Sequence, residues 1–434
     1  MSSPQGLSAM LIMSPKLIAI AVFVGVYLLI MLGLRELTIA SLAGVAILLL
    51  TRVLTWEEAL SYMDFDVLGM LMGVMIMIHM LSKVGFFRWL GIHMANMVRC
   101  DPVKMMLVFI FITFLLSSFT VANVVTVLLM AVVVIEISEV LGIDPRPLVI
   151  SLVFASNIGG MSTSISSLPN ILVASASGLT FTDFVINMWP VALVNLLVLT
   201  SVFFFLRREE LARMRPKYTT MPVSPSEVIT DRKLLLFLIT MFSIMVFMMV
   251  VSPVIDISPG AIALIISAIA LVVAGERAGP VIKEVDWEAL ISISCLLVLV
   301  GGLEKQGVIH DLSTAIMAST GGSLWLSLLL IFWSSTLVSC FVDNVPFTIA
   351  LISVLRDMAR AGVDVRPLWW ALLAGAGIGG NGTVVASYAN IVVVGETSKR
   401  GYKIEPRAFA RIGLPLVFLS SAITSVILLL VHGL

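Results

Sequence analysis

The sequence predicts an all-α polytopic membrane protein built from two inverted repeats of five transmembrane helices. Each repeat is expected to carry a re-entrant hairpin and a broken helix. Three observations lead there. The chain is 60% hydrophobic and only 12% charged, and its apolar runs approach or exceed the roughly 20 residues that cross a bilayer. The sequence repeats itself at an offset of 220 to 222 residues. In both copies a polar break interrupts apolar sequence at the same place, a pairing that in membrane proteins points to a solute site.

The duplication is read from short blocks. Ala122-Asn123-Val124 answers to Asp343-Asn344-Val345, and Ile158-Gly159-Gly160 to Ile378-Gly379-Gly380. Pro169-Asn170 answers to Ala389-Asn390, Asp64-Phe65 to Asp286-Trp287, and Leu81…Gly85 to Leu303…Gly307. The first repeat covers residues 1–206, a cytoplasmic linker 207–232, and the second repeat 233–434.

Spans of the first repeat are expected at about 17–34, 38–51, 66–82, 146–177 and 183–206. Those of the second are expected at about 233–251, 259–274, 287–303, 367–398 and 408–431. The first apolar segment follows a nearly uncharged start, without a basic n-region or a small-residue cleavage site, and reads as a retained span. Between the third and fourth spans lies extra apolar sequence, 104–136 in one copy and 323–357 in the other. Each is split by a polar tip, Ser117 to Asn123 and Ser339 to Pro346. Arms of about 14–18 residues are short for a full crossing, which predicts re-entrant hairpins. Amphipathic stretches at 86–99 and 308–320 lead into them and are expected at the interface.

The fourth span of each copy is broken. Ala155 to Asn170 brings Ser156, Asn157, Gly159, Gly160, Ser162, Thr163 and Asn170 into mid-span, and Gly375 to Asn390 brings Gly380, Asn381, Thr383 and Asn390. Such clusters stop helices. Their freed backbone groups cannot face lipid, so they must be buried in protein or line a wet cavity.

Five spans is an odd number, so the second copy should be inverted. With the linker in the cytoplasm and both termini outside, twenty basic residues fall inside and six outside, as the positive-inside rule requires. The expected location is the cytoplasmic membrane.

Two hairpin tips and two breaks can therefore meet near the midplane. The expected solute-binding set is Asn123, Asn157, Gly160, Ser162, Thr163, Asn170, Asn344, Gly380, Asn381, Thr383 and Asn390. Amides and hydroxyls supply donors and acceptors, and half-helix N-termini supply free N–H groups. This inventory suits a small polar or anionic solute, or an ion held by carbonyls. The competing reading is that these groups only satisfy broken backbone. Asp343, in a deeply apolar segment, is the expected proton- or ion-coupling group. It could also serve as a cap for the helix starting at Asn344. His79 reads as an inter-helix hydrogen bonder, Cys340 as a small buried residue, and Glu136 and Glu139 as reaching cytoplasmic water.

Other classes find no support. Cys100, Cys295 and Cys340 form neither a metal motif nor a disulfide framework, and the four histidines have no ligand spacing. No cofactor, metal or nucleic-acid partner is expected. No grouping of His with carboxylates, or of Ser or Cys with His, stands at the breaks, so an enzyme is not expected. The partners expected are the lipid bilayer and a small inorganic solute.

At Ser156-Asn157-Ile158-Gly159-Gly160, Pro169-Asn170-Ile171, Gly178 to Phe184, Val342 to Thr348 and Gly379-Gly380-Asn381-Gly382-Thr383 the chain resembles the ion transporter superfamily. That group includes ArsB arsenite permeases, NhaD-type sodium/proton antiporters, the P protein and plant silicon effluxers. The resemblance covers nearly the whole chain. It implies inverted repeats with hairpins and discontinuous helices, alternating access, and a scaffold that is often dimeric, so a homodimer is an expected partner state.

Two departures stand out against that pattern. The family's Asp before the first hairpin Asn is here Ala122, and its Gly-Asp-Pro-Pro-Asn is here Ser166-Ser167-Leu168-Pro169-Asn170. A symmetric pair of cation sites is thereby disfavoured. The resemblance then implies a proton- or potential-coupled exporter of arsenite or antimonite. Left open are a sodium/proton antiporter or small-anion transporter, and the membrane subunit of an ATP-driven pump. The chain has no phosphate-binding loop, so that pump would need a separate ATPase.

Overall fold

The computed structural model describes residues 14–31, 34–120, 123–275 and 278–432, and the side chains of Met31, Asn123 and residues 278–280 fall outside that description. Among the described residues the regular structure is helical throughout. Among the described residues, seven helices are long and apolar enough to cross a membrane by length and composition. The chain divides into two compact units.

The smaller unit holds residues up to Asp64, then Asp286–Gly322 and Ile349–Val363. Its helices are α1 (Pro15–Met31), α2 (Leu37–Leu50) and the short α3 (Trp56–Ser61). Helix α14 (Trp287–Lys305) packs on α1 and α2. Thr55 and Glu58 close a reciprocal capping box at the start of α3, which satisfies two orphan N–H groups. Lys305 donates to the same Glu58. That contact and the Thr55 N–H hold the Glu58 carboxyl below its ordinary range.

The larger unit, Phe65–Val285, Ser323–Thr348 and Asp364–Leu434, begins with α4 (Phe65–Lys83) and the amphipathic α5 (Phe86–Met97). The first hairpin is α6 (Pro102–Phe119) and α7 (Asn123–Leu141). The first broken helix is α8 (Arg146–Gly159) and α9 (Leu168–Ser177). Then follow α10 (Phe181–Arg213), α11 (Arg232–Ile255), α12 (Pro259–Ala274) and α13 (Ala278–Lys283). After α14 (Trp287–Lys305) and α15 (Val308–Thr320) of the smaller unit comes the second hairpin, α16 (Leu324–Ser339) and α17 (Asn344–Arg360). The second broken helix is α18 (Arg366–Gly379) and α19 (Tyr388–Lys399), and α20 (Pro406–His432) ends the chain.

Two elements differ from their expected extents. The arms of the first hairpin are 18 and 19 residues long, enough to cross by length. Asp101 caps α6 just ahead of Pro102, the residue best tolerated at a first turn. Helix α7 runs past Glu136 and Glu139 and stops where Gly142 takes φ 69°, a conformation that ends helices. Helix α10 runs into the expected linker as far as Arg213. Pairs three and four residues apart, Arg207 with Glu210 and Arg213 with Glu209, support that extension.

Helices α4 and α12 pack backbone to backbone: a Cβ at Gly73 would lie 2.5 Å from the carbonyl carbon of Ala263. Asp66 accepts from the Gly260 N–H at 2.8 Å and so caps α12. His79 Nδ1 lies 3.7 Å from Glu284, which also pairs with Lys83.

Candidate functional site

Both fourth spans stop where glycine and hydroxyl residues accumulate. Helix α8 ends at Gly159 and resumes as α9 at Leu168; α18 ends at Gly379 and resumes as α19 at Tyr388. Each N-terminal half packs on the first arm of its own hairpin, α8 on α6 and α18 on α16. The breaks are buried: Ser162, Thr163 and Ser166 have no exposed surface.

The two breaks are closed by matching bonds. Thr163 Oγ1 donates to the Ser118 carbonyl at 2.5 Å, and Thr383 Oγ1 to the Cys340 carbonyl at 2.6 Å. Asn170 Nδ2 donates to the Thr163 carbonyl at 2.6 Å, and Asn390 Nδ2 to the Thr383 carbonyl at 2.9 Å. Ser162 Oγ donates to the Gly159 carbonyl at 2.6 Å. Thr and Ser at these positions therefore satisfy backbone that would otherwise be orphaned in an apolar setting.

One bond set has no counterpart. Asn157 Nδ2 faces the Gly380 carbonyl at 3.1 Å, Asn381 Oδ1 at 3.0 Å and Asn390 Oδ1 at 3.0 Å. It links the first broken helix to the break in the second. The position matching Asn157 is Gly377, and that matching Asn381 is Met161. There the contact is apolar: a Cβ at Gly377 would lie 2.8 Å from the Cβ of Met161. Replacing Asn157 with Ala would strip Asn381 and Asn390 of their shared donor. A buried acceptor left unmet costs about 1–3 kcal/mol, so Asn157→Ala should lower the thermal midpoint of the purified protein by several degrees. An unchanged midpoint would show that this cross-link carries no stability.

A cavity of about 10 Å³ lies between the breaks, lined by Asn157, Gly160, Met161, Ser167, Pro169, Asn170, Asn344, Leu373 and Gly377. It has room for about one water. None of these lining residues is ionisable. Asn157 and Asn170 are 4% and 1% exposed. Their Nδ2 ends are fixed on backbone carbonyls, which settles the orientation of both amides. Each amide oxygen is the end that these bonds leave unused. The helix starts differ in charge. Asp343 accepts from Val345 N–H at 3.0 Å and from Tyr388 N–H at 2.8 Å, so its carboxylate caps α17 and joins the second hairpin tip to the start of α19. The start of α9 has no side-chain cap from Ser167.

Of the expected residues, the structure lines the cavity with Asn157, Gly160, Asn170 and Asn344. Gly380, Asn381 and Asn390 surround the Asn157 amide. Ser162, Thr163 and Thr383 are spent on the breaks and stand outside the lining. Asn123 starts α7, but its side chain is not among those described, and Ala122 lies outside the described residues. Met161, Leu373 and Gly377 went unnoticed in the sequence because apolar residues inside a span carry no signal. A second cavity of about 440 Å³, lined by Met80, Lys83, Val84, Thr230, Asp231, Leu234, Leu238, Ala274 and Val281, contains none of the expected residues.

The profile of the citrate transporter family, CitMHS, matches residues 27–375. The chain belongs to that family. It is 31% identical over 421 residues to an uncharacterized transporter of Mycobacterium tuberculosis, covering 95% of this chain and 98% of that protein. It is 28% identical over 501 residues to the human P protein, covering 96% of this chain and 60% of that protein. The crystal structure of the Alcanivorax borkumensis YdaH transporter superposes with a TM-score of 0.54 at 15% identity, over 84% of each chain. The last likeness shows the fold. Family and relatives make the chain a secondary membrane transporter and a multi-pass membrane protein, and bear out the resemblance to the ion transporter superfamily.

Proposed function

We propose that the chain exports arsenite and antimonite across the cytoplasmic membrane by alternating access, coupled to protons or to the membrane potential. The observation that carries this reading is the neutral lining of the cavity between the breaks. Buried charge is costly within a membrane unless it is paired, so such a lining favours an uncharged, hydroxylated solute such as arsenous acid. Asn157 and Asn170 would accept from its hydroxyls, and the uncapped start of α9 would donate to its oxygens. Asn123, Asn344, Gly380, Asn381 and Asn390 would complete the shell. Asp343 would carry the coupling proton. The cavity holds about one water, so a solute larger than water must enter as the breaks separate, in keeping with alternating access. The charge bias supports inverted repeats with the linker in the cytoplasm and both termini outside.

The family description supports a second reading, a carboxylate anion such as citrate. Its carboxylate would seat on the start of α9, although the two amide oxygens would oppose it. Flux into proteoliposomes decides between them, with arsenite, antimonite, citrate and sodium assayed in parallel under an imposed proton gradient. Arsenite and antimonite flux is the expected result, together with raised tolerance in a sensitive host. Citrate flux without arsenite flux would overturn the first reading and establish the second.

A further inference from the structure

Outside the cavity the two copies share a second kind of contact. Arg88 on α5 donates to Glu136 on α7 at 2.9 Å. At the matching positions stand His310 on α15 and Asp357 on α17, with His310 Nδ1 2.9 Å from Asp357 Oδ2. Ser313 Oγ donates to the same oxygen. In each copy the pair ties the amphipathic helix ahead of a hairpin to that hairpin's second arm. Placement is shared, but chemistry is not. The Arg88 guanidinium stays charged at every physiological pH, whereas an imidazole gains or loses its charge between about pH 5 and 8.

We propose that His310, Asp357 and Ser313 form a proton-binding site that clamps the second arm of the second hairpin when His310 is protonated. Protonation turns the His310–Asp357 contact into a charge-assisted bond. Deprotonation leaves Asp357 with Ser313 and with the charge of Arg360 one turn on. Arg360 lies 3.8 Å from Glu304, and Asp311, next to His310, is paired with Lys16. Arg356 is the other charge on this arm. His310 is the one imidazole among them. Its side chain is 71% exposed, so protons reach it from water. Helix α17 is continuous from Asn344 to Arg360, so a clamp at Asp357 restrains the helix whose start Asp343 caps. The first copy, with Arg88, is clamped at every physiological pH. If the repeats are inverted as proposed above, only the outer face senses pH; that clause rests on the topology, and the clamp does not.

The test uses the full-length protein in nanodiscs, with amide hydrogen exchange followed in the 344–360 and 123–141 segments. Rates are corrected for the intrinsic pH dependence of exchange. Protection of 344–360 should rise about two- to five-fold between pH 8 and pH 6, the scale of an exposed ion pair, while 123–141 stays constant. His310→Arg should be protected at both pH values and His310→Gln at neither. Arg88→His should confer pH dependence on 123–141. If His310→Gln keeps the wild-type pH profile, or if Arg88→His leaves 123–141 insensitive, the proposal is overturned. Arsenite flux in proteoliposomes gives the second readout: stepping the outer pH should alter wild-type flux a few-fold and leave His310→Arg flat. Absence of any arsenite flux in the wild type would sink the proposed solute, with the clamp still decided by exchange.

Discussion

Asp343→Asn is expected to fold and to lose proton-driven transport. Both carboxylate oxygens are engaged, one by the Val345 N–H and one by the Tyr388 N–H. An Asn at this position can accept through Oδ1 alone and must turn its NH₂ toward the other donor. The variant keeps one cap and loses the link between the second hairpin tip and the start of α19, or keeps the link and loses the cap. A hydrogen bond to a charged group contributes about 1.5–3 kcal/mol, which is roughly ten- to a hundredfold in an equilibrium poised on that contact. On the proposed role of Asp343 as the coupling group, the variant also lacks the carboxylate that would carry the proton. Flux driven by an imposed pH gradient should fall at least about tenfold, while the variant still folds, with a thermal midpoint lowered by a few degrees for the lost hydrogen bond. Full pH-dependent flux in Asp343→Asn would remove the coupling role and leave capping as the whole explanation. The reciprocal change, Ala122→Asp, restores the carboxylate that the first copy lacks. Sodium-driven proton movement in that variant would show that the missing acid is what separates this chain from a cation antiporter.

The breaks were legible because their signal is local. Gly159-Gly160 and Gly379-Gly380, followed by hydroxyl residues and by Asn170 or Asn390, are hard to accommodate in a continuous helix, and the helices stop at those glycines. Asn390 illustrates where legibility ends. Its donation to Thr383 spans seven residues and follows from the local turn. Its acceptance from Asn157 spans 233 residues and follows only from how α8 meets the second break. The same limit hid the Asp66–Gly260 cap, 194 residues apart. It also hid Met161 and Gly377, which gain meaning only as the apolar counterpart of the Asn157–Asn381 contact. The arms of the first hairpin were read too short because Glu136 and Glu139 look like a helix exit. The structure carries α7 through them, with Glu136 held by Arg88 and lying 3.9 Å from Arg400. The cavity was legible least of all, since a neutral lining is defined by which charges are absent from its wall.

Gly379→Ala is expected to damage the protein far more than Gly395→Ala, though both add one methyl group to a helix of the same broken span. A Cβ at Gly379 would lie 2.5 Å from the Thr336 carbonyl oxygen and 2.7 Å from the Ser339 Cβ. The first obstacle is backbone and cannot rotate away, so α16 and α18 would have to separate. Overpacking of this kind costs about 1–3 kcal/mol, against about 1 kcal/mol gained from the better helix propensity of Ala. At Gly395 nothing lies within 4 Å, so only the gain remains. Gly159 repeats the case in the first copy, where a Cβ would meet the Phe114 carbonyl at 2.4 Å. Thermal midpoints of the four proteins should therefore rank Gly395→Ala at or above wild type, with Gly159→Ala and Gly379→Ala below it. The damage should reach transport as well as stability. Ser339 Oγ donates to the Ala376 carbonyl and Thr383 Oγ1 to the Cys340 carbonyl, on either side of Gly379 in the second broken span, so parting the helices pulls on both bonds that seat the second break. A Gly379→Ala protein with wild-type midpoint and flux would mean that α16 and α18 slide freely here, and that the close approach of hairpin and broken helix is incidental to the site.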